Sequence, residues 1–339
     1  MFKCNSLFLV ACLTSGLSTA ALATEKVKVI TSFSVLGDIV QEIGGDKIAL
    51  TTLVTENGDT HAFKPSPKDV RGVSKADLIV INGLGFEGWL PRLIEASHFD
   101  GMQVIASNGI KALDGHDEHK DHDADHDEYK DHDADHDGHK DHDADHDEHK
   151  DHDEAKDHDE HKDHDGIDPH AWHSIRSIQI YAANIRKGLT KVDPKNSTYY
   201  TANFNAYLLK LKALDNDIQM MFDTVPVIQR KVIVPHNAFA YFARDYGIGF
   251  HALQGTSTDS EASAADIAAV IDQIRDNNIK AIFIENVTDN RLIKQISEDT
   301  KVTVAGKLYS DALSGKNEQA STYLQMMEYN ATTIYNAIK

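Results

Sequence analysis

Four polar residues that can bind a metal ion occupy loops of the chain, and three of them come soon after a predicted strand. They are His61 in DTHAFKPSP, His170 in DPHAW, His236 in PHNAF and Asp311 in LYSDALS. Open α/β sheets form their ligand clefts at the carboxyl ends of strands. Three imidazoles and one carboxylate complete a tetrahedral Zn²⁺ shell with bonds of about 2.0–2.2 Å. The joint placement therefore predicts a zinc site, although any one of these residues alone would be an ordinary loop residue.

A second set of histidines lies in a low-complexity insert, residues 115–166, just before the DPHAW motif. Its units KDHDADHDEY, KDHDADHDGH and KDHDADHDEH repeat every ten residues. Almost no residue in it is apolar, so we expect the insert to be disordered. Imidazole and carboxylate together suit Zn²⁺, which predicts additional, weaker metal sites; the alternative is a solvated acidic spacer. The histidines concerned are His116, His119, His122, His126, His132, His136, His139, His142, His146, His149, His152, His158, His161 and His164.

The charge and cysteine content of the chain restrict which partners it can bind and which residue types can hold a metal. Residues 114–165 contain 20 Asp, 5 Glu and 6 Lys, and so account for nearly all of the net charge of −20. The nearly neutral remainder favours a small-ligand carrier and argues against a nucleic-acid partner. The two cysteines, Cys4 and Cys12, both lie near the N-terminus, so a metal site elsewhere must use histidine and carboxylate ligands.

The N-terminal residues 1–23 have the pattern of a secretory signal peptide. Lys3 precedes an uncharged run, Leu7 to Leu22, and Ala21-Leu22-Ala23 has the small-x-small form of a cleavage site. This predicts a mature chain that starts at Thr24 in the periplasm. The alternative is lipid attachment at Cys12, because Leu9-Val10-Ala11-Cys12 has the form of a lipobox. No later segment approaches the ~20 apolar residues of a membrane-spanning helix.

Strands and helices alternate on both sides of the insert and of one long helical pattern, which predicts an α/β fold of two similar lobes with parallel sheets. We expect an N-terminal lobe at 24–193, a linker helix at 194–222 that begins at Asp193-Pro194, and a C-terminal lobe at 223–339. A linker helix of about 27 residues would be ~40 Å long and stiff; the alternative is an ordinary surface helix. The predicted strands are Val27–Phe33, Ile48–Val54, Leu78–Ile81, Val104–Ala106, Val232–Val234, Phe250–Leu253, Ala281–Ile284 and Val302–Ala305.

The segments DTHAFKPSP, DPHAW, PHNAFAYFARDYG and LYSDALS resemble, in the same order, the ligand motifs of cluster A-I metal-binding solute-binding proteins of ABC importers. The resemblance runs from about residue 26 to 339, apart from the insert. It implies two (β/α)₄ lobes joined by one long rigid helix, with the metal in the cleft between them. Manganese and iron members carry a carboxylate where His236 stands, and many zinc members use another oxygen in place of Asp311. The fourth ligand therefore remains open.

Five further residues could support the site or lie outside it. Glu285, at the end of a predicted strand, and Asp245 are both candidates to accept a hydrogen bond from a ligand imidazole. His173 could exchange with His170 as a ligand, but its position in the next turn is more typical of the surface. His98 and His251 have no motif around them and are interpreted as structural or exposed.

These observations predict a monomeric binding protein that captures Zn²⁺ and delivers it to an inner-membrane ABC permease. A protein that binds Mn²⁺ or another divalent metal is one alternative, and a periplasmic zinc chaperone or buffer without an importer is another. A zinc hydrolase is disfavoured, because Asp311 would fill the position that a catalytic water needs and the chain has no HExxH motif.

Overall fold

The computed structural model describes residues 25–115, 166–259, 262–277, 279 and 281–339. The predicted signal peptide, including Cys12, and the histidines of the insert lie outside these ranges. Within the described part of the chain, no helix has both the length and the apolar character needed to cross a membrane.

The first lobe is built on a four-stranded parallel sheet with the strand order β2-β1-β3-β4. Strand β1 is buried on both faces from Val29 to Phe33, which is why it consists of apolar and β-branched residues rather than an alternating pattern. The elements are β1 (Val27–Phe33), α1 (Ser34–Gly44), β2 (Ile48–Val54), α2 (Pro67–Val73), β3 (Leu78–Ile81), α3 (Leu90–Ser97) and β4 (Met102–Ile105).

A short antiparallel hairpin, β5 (Leu113–Asp114) with β6 (Ile167–Asp168), stands at the base of the insert. Helix α4 (Ile175–Val192) follows and packs on β3 and β4. Ser174 caps this helix by accepting a hydrogen bond from Ser177 N at 3.0 Å. Helix α4 is not among the elements predicted from the sequence, although its buried isoleucines recur at helical spacing.

Helix α5 (Ser197–Asp223) has 27 residues and packs against α1 and α4 of the first lobe. The predicted helix start at Asp193-Pro194 is wrong, since a 3₁₀ turn occupies Pro194–Asn196 and the α-helix begins after it. Asp193 holds this turn by accepting a hydrogen bond from the Tyr200 hydroxyl at 2.7 Å.

The second lobe repeats the plan around a parallel sheet with the order β10-β9-β7-β8. The predicted fold class of two parallel α/β sheets is therefore confirmed, while the residue limits of the lobes stay a prediction. Helix α5 also contacts α6 and α9 of this lobe, so it packs on both halves of the protein. The elements are β7 (Lys231–His236), α6 (Ala240–Tyr246), β8 (Gly249–Gln254), α7 (Ala264–Asp276), β9 (Ile282–Glu285), α8 (Arg291–Thr300), β10 (Val304–Leu308) and α9 (Tyr323–Ile338).

The principal hydrophobic core is shared between the lobes. Phe33 and Trp172 of the first half, Tyr207 of α5, and Phe239 and Tyr323 of the second half all belong to one continuous buried cluster. A smaller cluster lies under α7 and α8. Because one core supports both sheets, the strand ends that face each other across the cleft are held at a defined separation.

Candidate metal centre

His61 lies in the loop between β2 and α2, and a local turn fixes its backbone. Asp59 Oδ1 accepts a hydrogen bond from His61 N at 2.9 Å. The other oxygen of Asp59 accepts a hydrogen bond from the Thr258 hydroxyl, in the β8–α7 loop of the second lobe, at 2.8 Å. The imidazole packs edge-to-face on Phe86, with 4.9 Å between ring centroids. Both lobes therefore position this histidine.

His170 follows β6 by two residues, and Asp168 orients it. Asp168 Oδ1 lies 2.7 Å from His170 Nδ1 and also accepts the backbone N–H of His170 at 2.9 Å. The intervening Pro169 restricts the backbone, and its carbonyl accepts a hydrogen bond from Asn82 Nδ2 at 2.9 Å. A carboxylate at Nδ1 selects the tautomer whose Nε2 has a free lone pair, as metal-binding histidines require.

His236 is the last residue of β7, and Glu285 is the last residue of the neighbouring β9. Glu285 Oε2 lies 2.6 Å from His236 Nδ1, and Oε1 accepts the backbone N–H of His236 at 3.3 Å. Both side chains are fully buried. Parallel strands that end at the same edge thus place a carboxylate behind the imidazole, in the arrangement described for His170.

Asp311 lies in the loop between β10 and α9, and residues of the first lobe hold this loop in place. Trp172 Nε1 donates to Ser310 O at 2.8 Å. On the other side of Asp311, Leu313 O accepts a hydrogen bond from Asn57 N, and Leu313 N donates to the Ser34 hydroxyl, both at 2.9 Å. The carboxylate of the second lobe is therefore anchored by the lobe that it faces.

The four predicted residues meet at one point. Asp311 Oδ2 lies 3.5 Å from His61 Nε2 and 3.3 Å from His236 Nε2, and Oδ1 lies 3.7 Å from His170 Nε2. One ligand atom from each residue lies within 4.8 Å of all the others. None of these Nε2 atoms or carboxylate oxygens has a hydrogen-bond partner among the described residues. Ligands at the vertices of a Zn²⁺ tetrahedron are about 3.4 Å apart, so the group fits a divalent cation.

The charges of the group are coupled. Burial opposes ionisation of Asp311, but His236 and His170 outweigh it and hold the pKa of the carboxyl well below its usual range. Burial likewise opposes protonation of His236, but Glu285 and Asp311 outweigh it and raise the pKa of the imidazole well above its usual value. A cation that binds here therefore has to displace a proton from His236.

The four residues differ in their access to solvent. The side chains of His170, His236 and Asp311 are fully buried, whereas 8% of the His61 side chain is exposed. His61 borders a cavity of about 670 Å³ whose apolar wall includes Phe63 and Trp89. Of the four residues, the His61 side chain is thus the one that borders this cavity, although its Nε2 atom is buried.

The sequence from residue 29 to 337 matches the family described as ZnuA, zinc-uptake complex component A, periplasmic. The chain belongs to the ZnuA family. It is therefore a metal-binding, substrate-binding protein of an ABC importer and not an enzyme. The likeness to cluster A-I proteins in its motifs is confirmed.

Relatives of this ZnuA-family chain differ in the metal that their names give. It is 28% identical over 334 residues to the manganese ABC transporter substrate-binding lipoprotein PsaA of Streptococcus pneumoniae, covering 96% of this chain and 93% of PsaA. The Mn-bound periplasmic metal-binding protein from Candidatus Liberibacter asiaticus is 26% identical with a TM-score of 0.72, covering 93% and 100% of the two chains. The periplasmic zinc-binding protein TroA of Treponema pallidum, 24% identical, shares the fold with a TM-score of 0.75 and coverage of 93% and 99%.

Of the supporting residues considered from the sequence, Glu285 contacts a predicted ligand imidazole and Asp245 does not. Asp245 instead bonds to Ser174 at 2.5 Å and to Arg244 at 2.8 Å. The surface position expected for His173 is wrong, because its ring is fully buried and packs on Phe239 at 4.5 Å. Burial, with a contribution from the neighbouring His170, lowers the pKa of His173 to about 3.

The two remaining histidines lie away from the ligand group. His98 is exposed and ends α3 in a left-handed conformation. His251 is buried within β8.

Asp168 was given no role from the sequence, although this residue stands in the DPHAW motif. The signal that could have identified it is a carboxylate two residues before a histidine, with a proline between them.

Proposed function

We propose that this protein captures Zn²⁺ with His61, His170, His236 and Asp311 and delivers it to an inner-membrane ABC permease. The observation that carries the proposal is the convergence of three oriented imidazoles and one carboxylate on a single buried point. Borderline cations such as Zn²⁺ favour a shell rich in imidazole, and four protein ligands leave no position for a reactive water. The family description, which names zinc uptake, supports the same cargo.

Manganese is the second candidate, because PsaA and the Liberibacter protein carry that metal in their names. Mn²⁺ is harder than Zn²⁺ and prefers a larger share of oxygen ligands. Here nitrogen atoms supply three of the four ligands, and the additional carboxylates, Asp168 and Glu285, lie behind imidazoles at Nδ1 rather than at the centre. This donor set favours Zn²⁺.

The Asp/His-rich insert would gather additional Zn²⁺ next to the cleft. This part of the proposal rests on the sequence, which places fourteen histidines between the two strands of the hairpin that leads to His170. Many weak sites raise the local concentration of ions that a single tight site can take up. A periplasmic buffer or chaperone without an importer would share this behaviour, but the family description favours uptake.

We place the protein on the periplasmic side of the membrane. The family description supports this location, and the name of PsaA as a lipoprotein favours attachment through Cys12 over cleavage after Ala23 alone. Mass spectrometry of the purified mature chain separates the two: a lipid-modified N-terminal Cys12 supports anchoring, whereas an N-terminal Thr24 supports release.

The test of the cargo is calorimetric titration of the mature protein with Zn²⁺ in the presence of Mn²⁺ as competitor, with and without residues 116–165. The hairpin makes this deletion feasible, because Gly115 N already donates to Gly166 O and the strands pair at Asp114 and Ile167. Joining the two glycines leaves a two-residue turn of a type that hairpins favour.

We expect both proteins to bind one Zn²⁺ tightly against Mn²⁺, with extra weak sites only when the insert is present. Preference for Mn²⁺ would refute the choice of metal. Loss of tight binding when the insert is deleted would refute the assignment of the tight site to the cleft. Transfer of ⁶⁵Zn to vesicles that contain the permease distinguishes delivery from buffering, since a buffer would transfer no more than free diffusion allows.

A further inference from the structure

Tyr241 of helix α6 connects the second lobe to the hairpin at the base of the insert. Its hydroxyl donates to Asp168 O at 2.9 Å and accepts the backbone N–H of Leu113 at 3.1 Å. Leu113 and Asp168 are paired across the hairpin, so one oxygen atom joins both strands. The Tyr241 side chain is fully buried, and the Arg244 guanidinium lies over its ring at 5.2 Å.

The hairpin depends on this contact because it has few interactions of its own. It consists of two residue pairs, and an isolated ladder of that length is unstable in water. Tyr241 supplies a fixed point from a helix that packs in the main core. Burial raises the pKa of Tyr241 to about 12, so the hydroxyl keeps its proton and remains a donor.

The same backbone position controls a ligand of the metal centre. The carbonyl group of Asp168 bonds to Tyr241, and its carboxylate oxygen Oδ1 bonds to both Nδ1 and the backbone N–H of His170. The second carboxylate oxygen of Asp168 has no partner among the residues that the structure describes. The orientation of this carboxylate therefore depends on the Asp168 backbone and on His170, because no other described side chain forms a hydrogen bond with it.

We propose that Tyr241 is a positioning residue of the metal centre, which acts through Asp168 to aim His170 at the ion. The motif PHNAFAYFARDYG then has two tasks, since it supplies His236 as a direct ligand and Tyr241 as the support of a ligand from the opposite lobe. This inference rests on the proposed function, because it concerns affinity for the same Zn²⁺ ion.

The test compares the full-length variants Tyr241→Phe and Tyr246→Phe. Tyr246 is a matched control on the same helix: it is also buried, and its hydroxyl donates to Asp215 at 2.8 Å, away from the hairpin. Tyr241→Phe loses the hydrogen bonds to Asp168 and Leu113, and Tyr246→Phe loses the one to Asp215, so both should lower the urea midpoint of the metal-free protein. Chelator competition at less than one Zn²⁺ per protein then measures the tight site alone.

We expect Tyr241→Phe to weaken Zn²⁺ binding about 3- to 10-fold, and Tyr246→Phe to leave it within about 2-fold of the wild type. Co²⁺ provides a spectroscopic check: the intense d–d absorption of a tetrahedral complex should decrease in the first variant only. Equal affinities for the two variants would overturn the proposal. Failure of the wild type to bind Zn²⁺ tightly would instead overturn the proposed function.

A double-mutant cycle tests the route through Asp168. Asp168→Asn should cost about 10- to 100-fold in affinity, as for other carboxylates that orient a ligand histidine. Once that carboxylate is replaced, Tyr241→Phe should add less than about 2-fold, because the path to His170 is already broken. A full additional loss would mean that Tyr241 acts on the lobe as a whole and not on His170.

Discussion

The four proposed ligands should not contribute equally to Zn²⁺ affinity, and His61→Ala and His236→Ala should therefore differ in their effects. His61 borders the cavity, and among the described residues it has no carboxylate paired with its Nδ1 as His170 and His236 do. His236 is fully buried with Glu285 Oε2 at 2.6 Å. Removal of the His236 imidazole therefore takes away a ligand and also leaves a buried carboxylate without its partner.

The expected magnitudes follow from these surroundings. Structural zinc sites contribute about 10–16 kcal/mol over four ligands, so one ligand is worth roughly 3–4 kcal/mol, or about 10²- to 10³-fold in affinity. Water can enter from the cavity and replace the His61 nitrogen, which places His61→Ala near the lower limit. A buried charge pair that loses one partner costs about 3–5 kcal/mol, so His236→Ala should also destabilise the metal-free protein.

The assay is chelator competition for Zn²⁺ affinity together with urea unfolding of both metal-free variants. We expect His236→Ala to lose more affinity and to unfold at clearly lower urea, while His61→Ala unfolds close to the wild type. Adding Glu285→Gln to His236→Ala should recover much of the lost stability, because the unpaired charge is gone. Equal unfolding midpoints for the two single variants would contradict this reasoning, and unchanged affinity in either would contradict the ligand assignment.

Three further predictions concern protons and the insert. As the pH is lowered, Zn²⁺ affinity should begin to decrease at a pH above ~6.5, the usual pKa of an imidazole, because Glu285 raises the pKa of His236. In Glu285→Gln, affinities measured from pH 8 to 5 should show this decrease beginning at a lower pH. The pKa of His173 in the folded protein, about 3, lies below its value in the unfolded chain. Between these two pKa values only the unfolded chain binds the proton, so the protein becomes less stable as the pH decreases. Urea midpoints at pH 7 and pH 5 should show that His173→Phe removes up to about 2 kcal/mol of the acid destabilisation seen in the wild type; equal losses in both proteins would show that another group is responsible. Deletion of 116–165 should reduce the number of Zn²⁺ ions bound and slow capture in stopped-flow mixing, with the affinity of the tight site unchanged; a weakened tight site would show that the insert supplies a ligand.

Local patterns were sufficient to predict the strands of the two parallel sheets and to select the four residues that converge, but not the two-residue strands β5 and β6. Short β-branched runs mark parallel strands, and the carboxyl ends of such strands lie at one edge of a sheet, so His236 and Asp311 could be placed near each other without knowledge of the packing. The start of α5 was misplaced because Asp-Pro begins a 3₁₀ turn with the same residue types that begin an α-helix.

The supporting contacts were less predictable because they join distant segments. Tyr241 meets Asp168 across 73 positions of the chain, and Thr258 meets Asp59 across 199. Neither hydrophobic periodicity nor the spacing of motifs in the sequence predicts contacts between residues so far apart. The burial of His173 likewise depends on Phe239 from the other lobe, which covers a position that local sequence alone assigns to solvent.

The difference in exposure between His61 and the other three ligands has a kinetic consequence. An ion held by three donors on fully buried side chains and one donor on a side chain that borders the cavity should depart in a fixed order, with the His61 bond breaking first. A competing donor small enough to enter the cavity can bind the ion at that moment, so loss of Zn²⁺ should accelerate in proportion to the concentration of free imidazole. A chelator too large to enter the cavity can bind the ion only after the ion has dissociated, so its concentration should not affect the rate of Zn²⁺ loss. A permease that accepts the ion from this face would accelerate its release in the same way as the small donor, by offering a replacement for His61 before the other bonds break.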